Sequence, residues 1–170
     1  QHDTIACGES ILLQQTGVGG TSSDNFSAGT LSGLWQSVTA GWTLTSPCGT
    51  NPLGTQHLWF ATGSATPRQA TTVQVDASCG GDICFDFKME RQSSPPCDGP
   101  DLPGEGIYLQ YRIAGGAWVT IHYFNPGSYN FLGWNNYCFP IPGPAQTPTT
   151  QFRWSQVQIS SPVYDQWGID

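Results

Sequence analysis

The chain has 170 residues, enough for one domain with its own core. Only 10% of its residues are Asp, Glu, Lys or Arg, against a usual share of about 25%, and the net charge is −7. That balance excludes a charged helical bundle or coiled coil, and it excludes a nucleic-acid binder, which needs a basic footprint. No apolar run approaches the roughly 20 residues of a membrane span, so membrane insertion is not expected. With 21 Gly, 13 Pro and 12% aromatic residues, the composition fits an all-β domain of a secreted or surface protein.

Residues 1–23, with Gly17, Gly19 and Gly20, read as a lead-in segment docked on a domain that occupies residues 24–170. Alternation of apolar and polar residues predicts a strand at Thr71 to Asp76. A second runs over residues 83–89, with Ile83, Phe85, Phe87 and Met89 on one face. Residues 92–106 hold four Pro and three Gly and form an irregular loop, in which Asp98, Asp101 and Glu105 are expected to be solvated. Residues 107–124 read as a hairpin around Ala114-Gly115-Gly116. A turn-rich loop follows at 125–136, then a Pro-rich connector at 140–148 that is expected to be extended. In 151–160 the apolar phase switches from Phe152 and Trp154 to Val157 and Ile159, which predicts a β-bulge near Ser155 or Gln156. About eight to ten strands on such a chain make a two-sheet antiparallel β-sandwich, a jelly roll.

Six cysteines in a charge-poor chain suggest three disulfides and an oxidising compartment. Zinc is disfavoured because no close Cys or His pair has ligand spacing. Cys79 and Cys84 flank the Gly80-Gly81 turn and are expected to bond locally. The chain starts at Gln1 rather than Met, as a mature secreted chain would. No nucleophile elbow is present, Asp86 and Glu90 lie in no catalytic motif, and His122 sits in an alternating strand, so the chain is not expected to be an enzyme. Tyr129 and Trp134 are the aromatics whose loop context suggests exposure, and stacking on sugar rings would use them. The reading preferred over that one folds Phe131 and Trp134 back over the open end of the sandwich. A protein partner would use the same exposed rings.

An ordered series of landmarks adds to this. It runs Asp24-Asn25-Phe26, Trp35, Gly41-Trp42, Cys48-Gly49, Leu58-Trp59-Phe60 and Arg68 with Ala70-Thr71, then the 83–89 strand and Cys97. Leu109-Gln110-Tyr111, Gly116-Ala117-Trp118, Phe152-Arg153-Trp154-Ser155-Gln156 and Asp165-Gln166-Trp167-Gly168-Ile169-Asp170 complete it. The series resembles a reelin repeat jelly roll, an extracellular module. It departs from that pattern at Arg112 and in the 125–137 loop.

The resemblance implies a non-catalytic module of a longer secreted or cell-surface protein, with a structural, adhesion or protein-binding role and an extracellular protein or glycan as partner. It also implies a structural calcium held by the carboxylates of Asp24 and Asp170 and the backbone carbonyl of Arg68. The alternative is that Asp24 caps a turn and Asp170 is simply exposed. Finally, it implies a Cys48–Cys97 bond, which leaves Cys7 with Cys138. A carbohydrate-binding module using Tyr129 and Trp134 is the competing function.

Overall fold

In the computed structural model, residues 11–12, 22–45, 48, 56–61, 66–89, 97–128 and 133–170 are described. The alternating segments become strands because period-two patterning can bury one face of each. In β6 (Asp82–Met89), Ile83, Phe85, Phe87 and Met89 enter the core, and Cys84, Asp86 and Lys88 point the other way. One sheet has the order β9 (Asn135–Pro140), β6, β11 (Trp167–Ile169), β4 (Leu58–Phe60) and β3 (Trp42–Thr43). The other has the order β2 (Trp35–Thr39), β5 (Arg68–Thr72), β10 (Thr150–Gln156), β7 (Ile107–Ile113) and β8 (Val119–Phe124). Pairing within these two series is antiparallel, giving the expected two-sheet sandwich.

Aromatic rings fill the space between the sheets. Phe85 stands edge-on to Trp154 at 5.1 Å, and Phe87 and Phe124 lie 4.2 Å apart. Phe60 stacks on Trp167 at 4.2 Å. Such pairs add about 0.5–1.5 kcal/mol each beyond the apolar area they bury.

Several expectations are corrected. The 71–76 strand is displaced to Arg68–Thr72, and Val75 makes only an isolated bridge to Thr150. β10 pairs without interruption through Gln156, so the phase switch marks the chain leaving the sheet rather than a bulge. Register shifts occur instead between Trp35 and Ser37 and between Leu109 and Gln110. The 140–148 connector is not extended throughout: Gly143–Ala145 form a 3₁₀ turn that buries Ala145.

Cys48 bonds Cys97 as expected, but Cys84 bonds Cys138 rather than Cys79, and Cys138 is therefore not Cys7's partner. The reason is register. Cys84 and Cys138 stand directly opposite on β6 and β9, with α-carbons 4.1 Å apart, whereas the Gly80-Gly81 turn does not close on Cys84. Cys7 lies outside the described residues, as does most of the 1–23 lead-in. From that segment, β1 (Ile11–Leu12) pairs in parallel with Ile83 and Cys84. Since β9 occupies one side of β6 there, β1 occupies the other, alongside β11.

Candidate functional site

Asp24 is buried, and its carboxylate is occupied by nitrogen donors. Oδ1 accepts from the Phe26 N–H at 2.9 Å, and Oδ2 accepts from the Ser32 N–H at 3.0 Å and the Trp35 Nε1 at 2.7 Å. The carboxylate thus organises the segment entering β2. Asp170 is also buried, and the β6–β11 ladder continues onto it through reciprocal backbone bonds with Asp86. Burial, with the nearby charges of Asp86 and Asp24, pushes the Asp170 carboxyl up to about 7. The Asp24 and Asp86 charges thus act on Asp170, which is bonded to Asp86 through the backbone.

The Arg68 side chain has its own role, separate from the backbone carbonyl expected to bind calcium. Its guanidinium has no exposed surface and donates to the carbonyls of Pro162, Tyr164 and Asp165 at 2.9–3.0 Å, holding the turn before β11. No described contact joins it to Asp24 or Asp170. Burial lowers its pKa, opposed by the Asp165 charge.

A different carboxylate group forms at that turn. Asp101, Glu105 and Asp165 each offer an oxygen, and these oxygens all lie within 4.8 Å of one another. Glu105 is fixed by a local turn, its Oε2 accepting the backbone N–H groups of Asp101 at 3.2 Å and Leu102 at 3.0 Å. Its Oε1 accepts the Ser160 hydroxyl. Asp165 adopts φ 60°, which turns the chain into β11, and its carboxylate accepts the Ser160 N–H. Its backbone carbonyl takes the Arg68 and Gln156 donors. Burial, with Glu105 beside it, raises the Asp165 carboxyl to about 7. Burial works in the same direction on Glu105, but the hydrogen bonds from Ser160, Leu102 and Asp101 hold it below its ordinary value.

Glu105 and Asp98 are buried rather than solvated, which corrects the reading of the 92–106 loop, while Asp101 stays exposed. The hydrogen bonds held by Glu105 and Asp165 resemble those held by Asp24, so what sets this group apart is the convergence of three hard oxygens, two from buried residues and one from an exposed residue, the oxygen type that calcium takes. A bound cation there would neutralise adjacent carboxylates. Asp165 was missed in the sequence because it lies 60 residues from Glu105. Its place in the closing Asp-Gln-Trp landmark was the available signal.

Trp134 does not project from its loop. It is half-buried against His57, with ring centroids 4.7 Å apart, and near Trp59 at 6.3 Å, over the outer face of β4 and β11. Gly168 makes room: a β-carbon there would stand 2.5 Å from Trp59 Cε3 and 3.0 Å from Trp134 Cη2. Lys88 lies 5.9 Å from the Trp59 ring. Tyr129 lies outside the described residues. His122 packs between Phe124 and Phe139, and burial lowers its pKa.

Among solved structures, the chain is similar to one described as Family 16 Carbohydrate Binding Module-2, at 11% identity and a TM-score of 0.44. That match covers 80% of this chain and 86% of the other. No helix among the described residues is long and apolar enough to cross a membrane. The Reelin subrepeat B family matches residues 41–170, and the chain belongs to that family.

Proposed function

We propose that the chain is a non-catalytic extracellular β-sandwich module of a larger secreted or cell-surface protein, with a structural, adhesion or protein-binding role, stabilised by calcium at Asp101, Glu105 and Asp165. The observation that carries the calcium reading is the convergence of three carboxylate oxygens within 4.8 Å, two from buried residues. The disulfides Cys48–Cys97 and Cys84–Cys138 support an oxidising compartment. Family membership supports the module reading. Sugar binding through Trp134 is the weaker alternative, because its ring packs on His57 rather than standing ready for a ligand.

Calcium that binds only the folded chain stabilises it by about 2.7 kcal/mol at a hundredfold excess over the dissociation constant. The test is thermal melting of the chain with calcium and with EDTA, repeated on Asp165→Asn. A calcium-dependent rise in Tm that is lost in the variant supports the site. A Tm indifferent to calcium refutes it, and a rise retained by Asp165→Asn but lost by Asp170→Asn moves it to the Asp24–Asp170 end.

A further inference from the structure

The outer face of the β2-β5-β10-β7-β8 sheet concentrates positive charge in an acidic protein. The whole chain has only five Lys and Arg residues against twelve Asp and Glu. Two of the five, Arg112 on β7 and Arg153 on β10, lie over one indole: their guanidinium carbons are 4.6 Å and 4.1 Å from the Trp118 ring centroid. Like charges held this closely repel, and the Arg112 charge, after burial, helps to lower the Arg153 pKa.

No carboxylate is among their described partners. Arg112 Nε donates to Gln151 Oε1 at 2.9 Å, Arg153 Nε to Gln110 Oε1 at 2.7 Å, and Arg153 Nη1 to Gln69 Oε1 at 3.2 Å. Neutral amides therefore fix both planes without cancelling either charge. The Nη groups of Arg112 and the Nη2 of Arg153 donate to none of these glutamines, so donors for an incoming oxyanion remain.

We propose that this face binds an oligosaccharide carrying carboxylate or sulfate groups, with Arg112 and Arg153 gripping the oxyanion. The surroundings favour a glycan over an acidic peptide. Gln69 and Gln110 are part-exposed beside the guanidiniums, exposed Gln36 extends the polar face by bonding the buried Gln151, and exposed Thr120 does so by bonding Gln110. Such groups read sugar hydroxyls. The strands supply a rigid support, so the guanidiniums lose little freedom on binding. This goes beyond the proposed module role and uses none of the calcium-site residues.

The experiment is calorimetric titration of the full chain with three probes of similar length: an oligogalacturonate, a dextran sulfate oligomer and neutral dextran. Oligoglutamate is the peptide control. Binding of either charged sugar, weakened by salt and reduced about tenfold or more in Arg112→Gln and in Arg153→Gln, supports the proposal. The preferred probe identifies the oxyanion as carboxylate or sulfate. Melting curves check that both variants fold, and Arg153→Lys, which keeps the charge but loses the planar stack, is expected to bind more weakly than the parent chain. Equal binding of neutral dextran, tighter binding of oligoglutamate, no binding of either charged sugar, or binding unchanged in the glutamine variants would each overturn it.

Discussion

The Arg68 guanidinium on β5 donates through Nη1 to the backbone carbonyl of Asp165 at 2.9 Å, tying the second sheet to the turn that enters β11 of the first. The same group holds the carbonyls of Tyr164 and Pro162. Replacing it with Met would leave these acceptors without their donor beside the Asp165 carboxylate. Arg68→Met should therefore destabilise the fold by about 3–5 kcal/mol, read by urea denaturation. Lysine should rescue little, since one ammonium cannot reproduce the planar fork that spans Pro162 and Asp165. A loss below about 1 kcal/mol would show that water replaces the guanidinium at this turn.

Asp170 makes stability depend on pH. Its folded carboxyl is held at about 7 by burial and by Asp86 and Asp24, whereas an unfolded Asp titrates near 3.9. Between roughly pH 4 and pH 7 the folded chain keeps a proton that the unfolded chain has released. Stability from this group is therefore greatest at low pH and falls as pH rises through that window. Asp170→Asn removes the titration while keeping a similar shape. Without calcium, the stability of the variant relative to the parent chain should increase from pH 4.5 to pH 8. A difference independent of pH would mean that Asp170 is charged across the whole range.

Gly168 tests the outer aromatic cover. An alanine β-carbon would meet Trp59 Cε3 at 2.5 Å, the Leu58 carbonyl oxygen at 3.0 Å and Trp134 Cη2 at 3.0 Å. The carbonyl belongs to the paired strand β4 and yields little. Gly168→Ala should cost about 1–3 kcal/mol and shift tryptophan fluorescence as the Trp59–Trp134 contact opens. Gly143→Ala is the control: its β-carbon would meet nothing within 4 Å, so it should be neutral or slightly stabilising. Equal effects at both positions would rule out packing as the cause.

Alternation made Ile83 to Met89 readable, because a half-buried strand must place every second residue in the core. The 107–124 hairpin was legible for the same reason, with its turn residues between the strands. Alternation reports which face a residue occupies, but not which strand lies beside it. That is why Cys84 was assigned to the nearby Cys79 when its neighbour across the sheet is Cys138. The carboxylate site was hidden similarly, since Asp165 meets Asp101 and Glu105 only after β11 joins the sheet. Trp134 had an exposed-looking context, but the small Gly168 that accommodates it lies on another strand.

The disulfide pattern is open to direct measurement. The Cys84–Cys138 bond crosses two paired strands and spans 54 residues of sequence. On the chain-entropy account such a loop is worth about 4 kcal/mol at most, so Cys84→Ser with Cys138→Ser should lower stability by about 2–4 kcal/mol. Cys48–Cys97 links a residue following β3 to the start of the loop that carries Asp101 and Glu105. Neither bond uses Cys7 or Cys79. With three disulfides expected from six cysteines, these two bonds leave Cys7 and Cys79 as the remaining pair. A third bond between Cys7 and Cys79 is therefore expected in the oxidised chain. Peptic digestion without reductant, followed by mass spectrometry, should recover three linked pairs: 48 with 97, 84 with 138, and 7 with 79. A peptide linking Cys79 to Cys84 would contradict the β6–β9 register. Linkage of Cys7 to any cysteine other than Cys79 would contradict either the Cys48–Cys97 or the Cys84–Cys138 bond.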